Sequence, residues 1–154
     1  MRQLVYVSRA TRPLEFHEEA EILATARACN EESGITGVLL AKDQLFIQLL
    51  EGDHEAVEET FRRIRRDRRH IDVTVLCDGE TNMPRLFADW RMGFVHLSAA
   101  EYAAGEGLVP NDDKGFAAAV STAAPRSPAA VILHEFWKAN RRVLSPLTAS
   151  LATN

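Results

Sequence analysis

The chain has 154 residues, enough for one domain with a real core plus a short extension and too few for a second catalytic domain. Its composition, 46% hydrophobic and 26% charged with mixed signs, excludes a disordered or membrane-embedded protein, and a net charge of -4 argues against a dedicated nucleic-acid binder.

The opening MRQLVYVSRA lacks the apolar run of a secretory signal, and no apolar stretch approaches the roughly 18 residues of a membrane span. A cytoplasmic protein without membrane association is expected. Residues 3–8 alternate and are rich in β-formers, which predicts a first strand with Leu4, Tyr6 and Ser8 on one face and Val5 and Val7 on the other. The next segment, 16–33, places Phe16, Leu23, Ala26 and Asn30 on one helical stripe with Ile22 and Cys29 beside it, and Gly34 ends it. ITGVLLA and LFIQLLE, separated by Lys42, Asp43 and Gln44, predict an antiparallel hairpin. Asp53 is a good N-cap for a second helix, with Glu55 in its first turn and Val57, Phe61, Ile64 and Arg68 at helical spacing. DVTVLC at 72–77 predicts a fourth strand. After a loop or helical turn around Pro84 to Ala88, WRMGFVHL at 90–97 predicts a fifth.

The order is β-α-β-β-α-β with an added fifth strand, an α+β chain of ferredoxin-like type. Right-handed crossovers put both helices on one sheet face and leave the other bare. Ser127 as N-cap and Pro128 at the first helical position open a helix over 128–144, with Ile132, Phe136, Ala139 and Val143 at helical spacing and Leu133 and Trp137 close by. This C-terminal helix is expected to cover the bare face or a partner. Before it, GEGLVPNDDKG and APRS read as loops around a short Ala-rich helix near 116–123, and the last ten residues read as frayed. Domain limits follow at 1–97 and 98–154. Cys29 and Cys77 form no C-x-x-C pair and have no His at metal spacing, so free thiols and no metal are expected.

Three residues resist a plain core reading. Gln48 shares its strand face with Phe46 and Leu50, and an unpaired amide there would cost about 1–3 kcal/mol. Asn30 falls on the core-facing helical stripe, and Tyr6 sits one strand over. Each has a dull explanation: a backbone-bonded Gln, a helix-terminal Asn, a core aromatic. Together with Arg69 or His70 at the end of the second helix they can converge on a slot between helices and sheet, where a planar heterocycle with an amide edge would satisfy them. The run RRIRRDRRH at 62–70 reads as a mostly solvated helix face. With an acid inside it and no interleaved aromatics, it is a weak nucleic-acid signal.

LVYVSRA at 4–10, Asn30 before GITGVLL, FIQLLEG at 46–52, RIRRDRRH at 63–70 and FADWRMG at 87–93 together resemble the BLUF domain, the sensors of blue light using FAD. The resemblance covers about residues 2–97 and makes that part the photosensory domain. It implies non-covalent FAD, with the isoalloxazine between the two helices against the sheet. By the same resemblance Tyr6 is the photoactive tyrosine and Gln48 the switching glutamine. Asn30 pairs with the flavin's pyrimidine edge, Arg69 and His70 lie near its C2 carbonyl, and Ser8, Ile22 and Leu23 line the pocket. Trp90 and Met92 are the fifth-strand pair that carries the change outward. Light would drive electron and proton transfer from Tyr6 and leave the Gln48 amide rearranged. Cys29 departs from the family, where several relatives have a polar residue. The resemblance implies a flavoprotein photoreceptor in signal transduction, not an enzyme, speaking to a downstream signalling protein and forming a homo-oligomer. The helix at 128–144 is the expected responding element. The rival readings are a flavin-dependent redox enzyme and a flavin-free ferredoxin-like regulatory module.

Overall fold

A computed structural model describes residues 1–97 and 113–140. Its elements are β1 (Arg2–Ala10), α1 (Phe16–Ser33), β2 (Thr36–Lys42), β3 (Leu45–Gly52), α2 (His54–Arg66), β4 (His70–Glu80), β5 (Gly93–His96), α3 (Asp113–Ala123) and α4 (Pro128–Asn140). The five strands form one sheet in the order β4-β1-β3-β2-β5. The first four pair antiparallel, and β5 lies parallel to β2. This is the ferredoxin-like order with the fifth strand added beyond β2.

The period of two splits the sheet into two faces. On the first, Leu4 and Tyr6 of β1, Leu50 of β3 and Phe94 of β5 meet Leu23 of α1 and Val57 and Phe61 of α2. On the second, Val5, Leu40, Ile47, Leu49 and Val95 meet Phe116 and Val120 of α3 and Ala129, Leu133 and Trp137 of α4. The C-terminal helices therefore cover the back of the sheet, the first of the two places expected for them.

Local chemistry explains the element ends. Gly34 stops α1 in a left-handed conformation (φ 69), and Ile35 N donates back to Asn30 O at 2.9 Å. The hairpin turn is tight, with Lys42 opposite Leu45 and Asp43 at φ 54. Asp53 sits at the N-cap of α2, but its side chain makes no capping hydrogen bond. Ser127 does cap, since Ala130 N donates to its Oγ at 3.2 Å.

Five expectations need correction. β4 runs over His70–Glu80 rather than 72–77, because Arg2 and Arg9 of β1 reach across to Asp78 and Asp72 and fasten both ends. β5 begins at Gly93, not at residue 90, so Trp90 and Met92 precede the strand. Asp113 to Gly115 belong to α3 rather than to a loop, and Arg68 lies beyond the end of α2. In α4 the buried stripe is Ala129, Ala130, Leu133 and Trp137, one residue round from the expected Ile132, Phe136 and Ala139. Val143, Leu144, the start of the 105–115 loop and the last ten residues lie outside the described residues.

Candidate functional site

A cavity of about 260 Å³ opens on the first sheet face, between α1 and α2. Its floor is Tyr6, Ser8, Gln48 and Leu50, its α1 wall Ile22, Leu23, Cys29 and Asn30, and its α2 wall Thr60, Arg63 and Ile64. Met92 and Phe94 close one end, and Asp67, Arg69 and His70 stand at the other. Every residue singled out in the sequence lines this cavity except Trp90.

Tyr6 and Gln48 face each other directly across the β1–β3 ladder. The Tyr6 hydroxyl donates to Gln48 Oε1, and Gln48 Nε2 donates to Met92 Sδ at 3.2 Å. The buried amide is therefore satisfied at both ends, as its place among Phe46 and Leu50 demands. Burial pushes the Tyr6 phenol well above its ordinary value, and the charge of Asp67 adds to the rise. Tyr6 thus keeps its proton at any ordinary pH, and the Gln48 oxygen is turned toward it. Phe61 packs against the phenol ring at 5.3 Å between centroids.

Asn30 is 3% exposed and gives one amide hydrogen to Arg91 O at 2.7 Å. Arg27 donates from Nε to Met92 O at 2.9 Å, so α1 grips the segment before β5 at two successive carbonyls. Arg69 stands at the rim of the cavity. Its guanidinium chelates Asp67, with Nε 2.9 Å from both carboxylate oxygens, and the side chain is 59% exposed at the cavity's edge. The Arg69 hydrogen bond holds the Asp67 carboxyl below its usual range. His70 Nε2 lies 2.8 Å from Ile64 O, which fixes the ring at the start of β4.

Trp90 lies on the other side of the sheet, its ring 4.8 Å from that of Phe87. Phe87 stacks on Phe116 of α3 at 5.8 Å, and Phe116 meets Trp137 of α4 at 6.2 Å. Gly93 makes room for this seat, because a Cβ there would fall 2.1 Å from Trp90 Cε3.

Sequence reasoning passed over Arg63 and Asp67, hidden in a charge run that read as solvated, and Glu19, a buried acid lining the cavity from α1. It also passed over Glu51, fully buried on the back of β3. A charged residue inside an apolar strand was the signal for Glu51, the same signal that marked Gln48. Among the described residues no His, Cys, Asp and Glu cluster could hold a metal, and no helix is long and apolar enough to cross a membrane.

Apolar side chains form most of the cavity's lining and the Asn30 and Gln48 amides face into it, which suits a flat aromatic ring system with a polar edge. Comparison with known proteins points the same way. The family model described as sensors of blue-light using FAD matches residues 1–93. The photoactivated adenylate cyclase subunit beta of Euglena gracilis is 45% identical over 73 residues, which is 47% of this chain and 8% of that protein. The dark-state structure of the BLUF protein BlrB superposes with a TM-score of 0.63 at 28% identity, covering 87% of this chain and 92% of that one. Klebsiella pneumoniae BlrP1, solved with FMN and cyclic diGMP, superposes with a TM-score of 0.56 at 33% identity, over 62% of this chain and 26% of that one.

Proposed function

The chain belongs to the BLUF family, the sensors of blue light using FAD, and on that premise we propose that its cavity holds FAD and that Tyr6, Gln48 and Met92 form the switch that reads it. The observation that carries this reading is the unbroken line from the Tyr6 hydroxyl through the Gln48 amide to the Met92 sulfur on the cavity floor. Asn30 would hold the ring's polar edge, Ile22, Leu23 and Ile64 its faces, and Arg63, Arg69 and His70 the end toward α2.

Bound FAD supplies absorption in the blue and, once excited, a strong one-electron oxidant. Tyr6, on the cavity floor, would be the electron donor, its phenolic proton passing toward Gln48 Oε1 and both returning to it afterwards. Gln48 has two ways to satisfy its surroundings. In the arrangement seen here it accepts from Tyr6 and donates to Met92, and Met92 is a weak acceptor. Turned over or tautomerised, it offers different partners to Tyr6, to the ring and to Met92. The switch is thus a buried amide with two hydrogen-bonding states, and light selects between them.

The output is a protein contact made through the α3–α4 layer, which the aromatic chain Trp90–Phe87–Phe116–Trp137 joins to the segment carrying Met92. Relatives that carry cyclase or cyclic diGMP chemistry in their names are far longer than this chain. We assign a downstream signalling protein to the α3–α4 layer as its partner. The deciding experiment is an absorption spectrum of the purified protein before and after blue light. A yellow protein with a reversible red shift supports the reading, and a protein that stays colourless after FAD reconstitution ends it.

A further inference from the structure

Glu51 lines no part of the cavity, yet its exposure is 0%. It follows Gln48 by three residues on β3, so the pleat turns it to the opposite face of the sheet. There its carboxylate accepts from Gln3 Nε2 at 2.8 Å, from Leu86 N at 2.9 Å and from Phe87 N at 3.0 Å. Its backbone carbonyl accepts from Arg85 Nη1 at 2.9 Å, and the same nitrogen donates to Thr36 Oγ1 at 2.9 Å. A carboxylate is buried at high cost unless its oxygens are paired. Apart from the Gln3 bond, every one of these contacts ties down residues 85–87, a stretch that belongs to no strand or helix.

That stretch leads straight into the switch. Trp90 N donates to Phe87 O at 3.1 Å and its ring packs on the Phe87 ring, while Gly37 N donates to Trp90 O at 2.9 Å. Two residues further on, Met92 Sδ receives the Gln48 amide. Trp90 and Met92 point to opposite faces, the Trp90 ring packed on Phe87 and the Met92 sulfur on Gln48.

We propose that Glu51 is a positioning residue for the photoswitch: by holding the Leu86 and Phe87 amides it seats Trp90 on the α3–α4 side and Met92 against Gln48. This rests on the flavin-switch reading above. It adds that the two faces of β3 act together, Gln48 meeting the dye and Glu51 fixing what Gln48 meets on its far side.

The test uses the full chain carrying Trp137→Phe, which leaves Trp90 as its single tryptophan, with and without Glu51→Gln. Glutamine keeps one acceptor oxygen and presents an NH2 group where a second donor already points. The expected result is a yellow protein with unchanged flavin affinity and faster hydrogen exchange at the Leu86 and Phe87 amides. Trp90 emission in the dark is shifted, and the rate of dark recovery changes by about two- to thirty-fold, the range of coupling carried by residues outside a site. Unchanged Trp90 emission and recovery alongside faster amide exchange would overturn the proposal and leave Glu51 a purely structural anchor. Gln3→Met removes one donor to Glu51 and leaves both amides in place; the same effects in smaller measure are expected. If Glu51→Gln does not fold, unchanged emission and recovery in Gln3→Met overturn the proposal. If the parent chain shows no red shift, the flavin reading fails instead, and Trp90 emission with amide exchange in the dark protein still decides whether Glu51 seats the segment.

Discussion

Met92 and Trp90, two residues apart, lie on opposite faces of the sheet: Met92 Sδ is 3.2 Å from Gln48 Nε2, while the Trp90 ring is 4.8 Å from Phe87. Neither residue is in a strand, so their alternation is set by side-chain and backbone bonds from Asn30, Arg27 and Gly37 rather than by a ladder. On the proposed switch, a change at Gln48 would reach the far face of the sheet by moving this short segment, with no need to deform a strand.

Tyr6→Phe removes the proton donated to Gln48, and Gln48→Leu removes the amide. Both variants are expected to bind flavin and to lose the light-induced red shift entirely. Absorption spectra before and after illumination check this, and a Tyr6→Phe protein that cycles normally sinks the role given to the phenol.

The glycines rank themselves by what a methyl group would meet. Gly34 at φ 69 has nothing within 4 Å of an added Cβ, so Gly34→Ala is expected to cost about 1 kcal/mol of backbone strain. At Gly37 the Cβ would lie 1.9 Å from Leu49 O, with φ at 156. Because backbone occupies that space, Gly37→Ala is expected to cost on the order of 3–5 kcal/mol or to prevent folding. Urea denaturation of the two variants gives the order, and equal midpoints would contradict it.

Arg2 is 7% exposed and bridges Asp78 and Glu58, with Nε 2.7 Å from Asp78 Oδ1 and Nη1 2.7 Å from Glu58 Oε2. The Arg2 hydrogen bond holds both carboxyls below their ordinary values. A carboxyl depressed in the folded state adds stability above its unfolded pKa, about 4, and that stability is lost as pH falls through the lower folded value. The melting temperature of Arg2→Met should therefore lie below that of the parent at pH 7, and the gap should narrow as pH falls from about 4 toward 2. Thermal melts across that range test it; a gap independent of pH would assign the loss to packing of the Arg2 stem.

In α4, Leu133 is fully buried and Phe136 only half-buried. Leu133→Ala is expected to cost about 2–5 kcal/mol, and Phe136→Ala less despite the larger side chain. Chemical denaturation separates them. The opposite order would restore the stripe that periodicity suggested.

That stripe shows where the sequence stops being legible. Helix α1 could be read from its apolar spacing and its terminal Gly34, and β1 from the alternation that puts Tyr6 and Val5 on opposite faces, because in each case one face is apolar and the other is not. Helix α4 has Ala129, Ala130, Ile132, Leu133, Phe136 and Trp137 on most of its circumference, so its packing partners, the back of the sheet and Phe116 of α3, decide which side is buried. The start of β5 was misread because Trp90 and Met92 alternate as strand residues do while held by loop contacts. In the site, Gln48 stood out as polar among apolar neighbours. Glu51 carried the same mark but sits on the face away from the cavity, and Arg69 showed its place in the chain without showing that Asp67 would capture it.

The cavity draws residues from β1, α1, β3, α2, the turn before β4 and the segment before β5. Its floor pairs Tyr6 with Gln48, and the sheet order sets β1 between two strands that come far later in the chain. Contacts so distant in sequence form late and slowly in folding. Colour is therefore a signature of assembly across the whole sheet: the place for the dye is complete only once Met92 and Phe94 have docked.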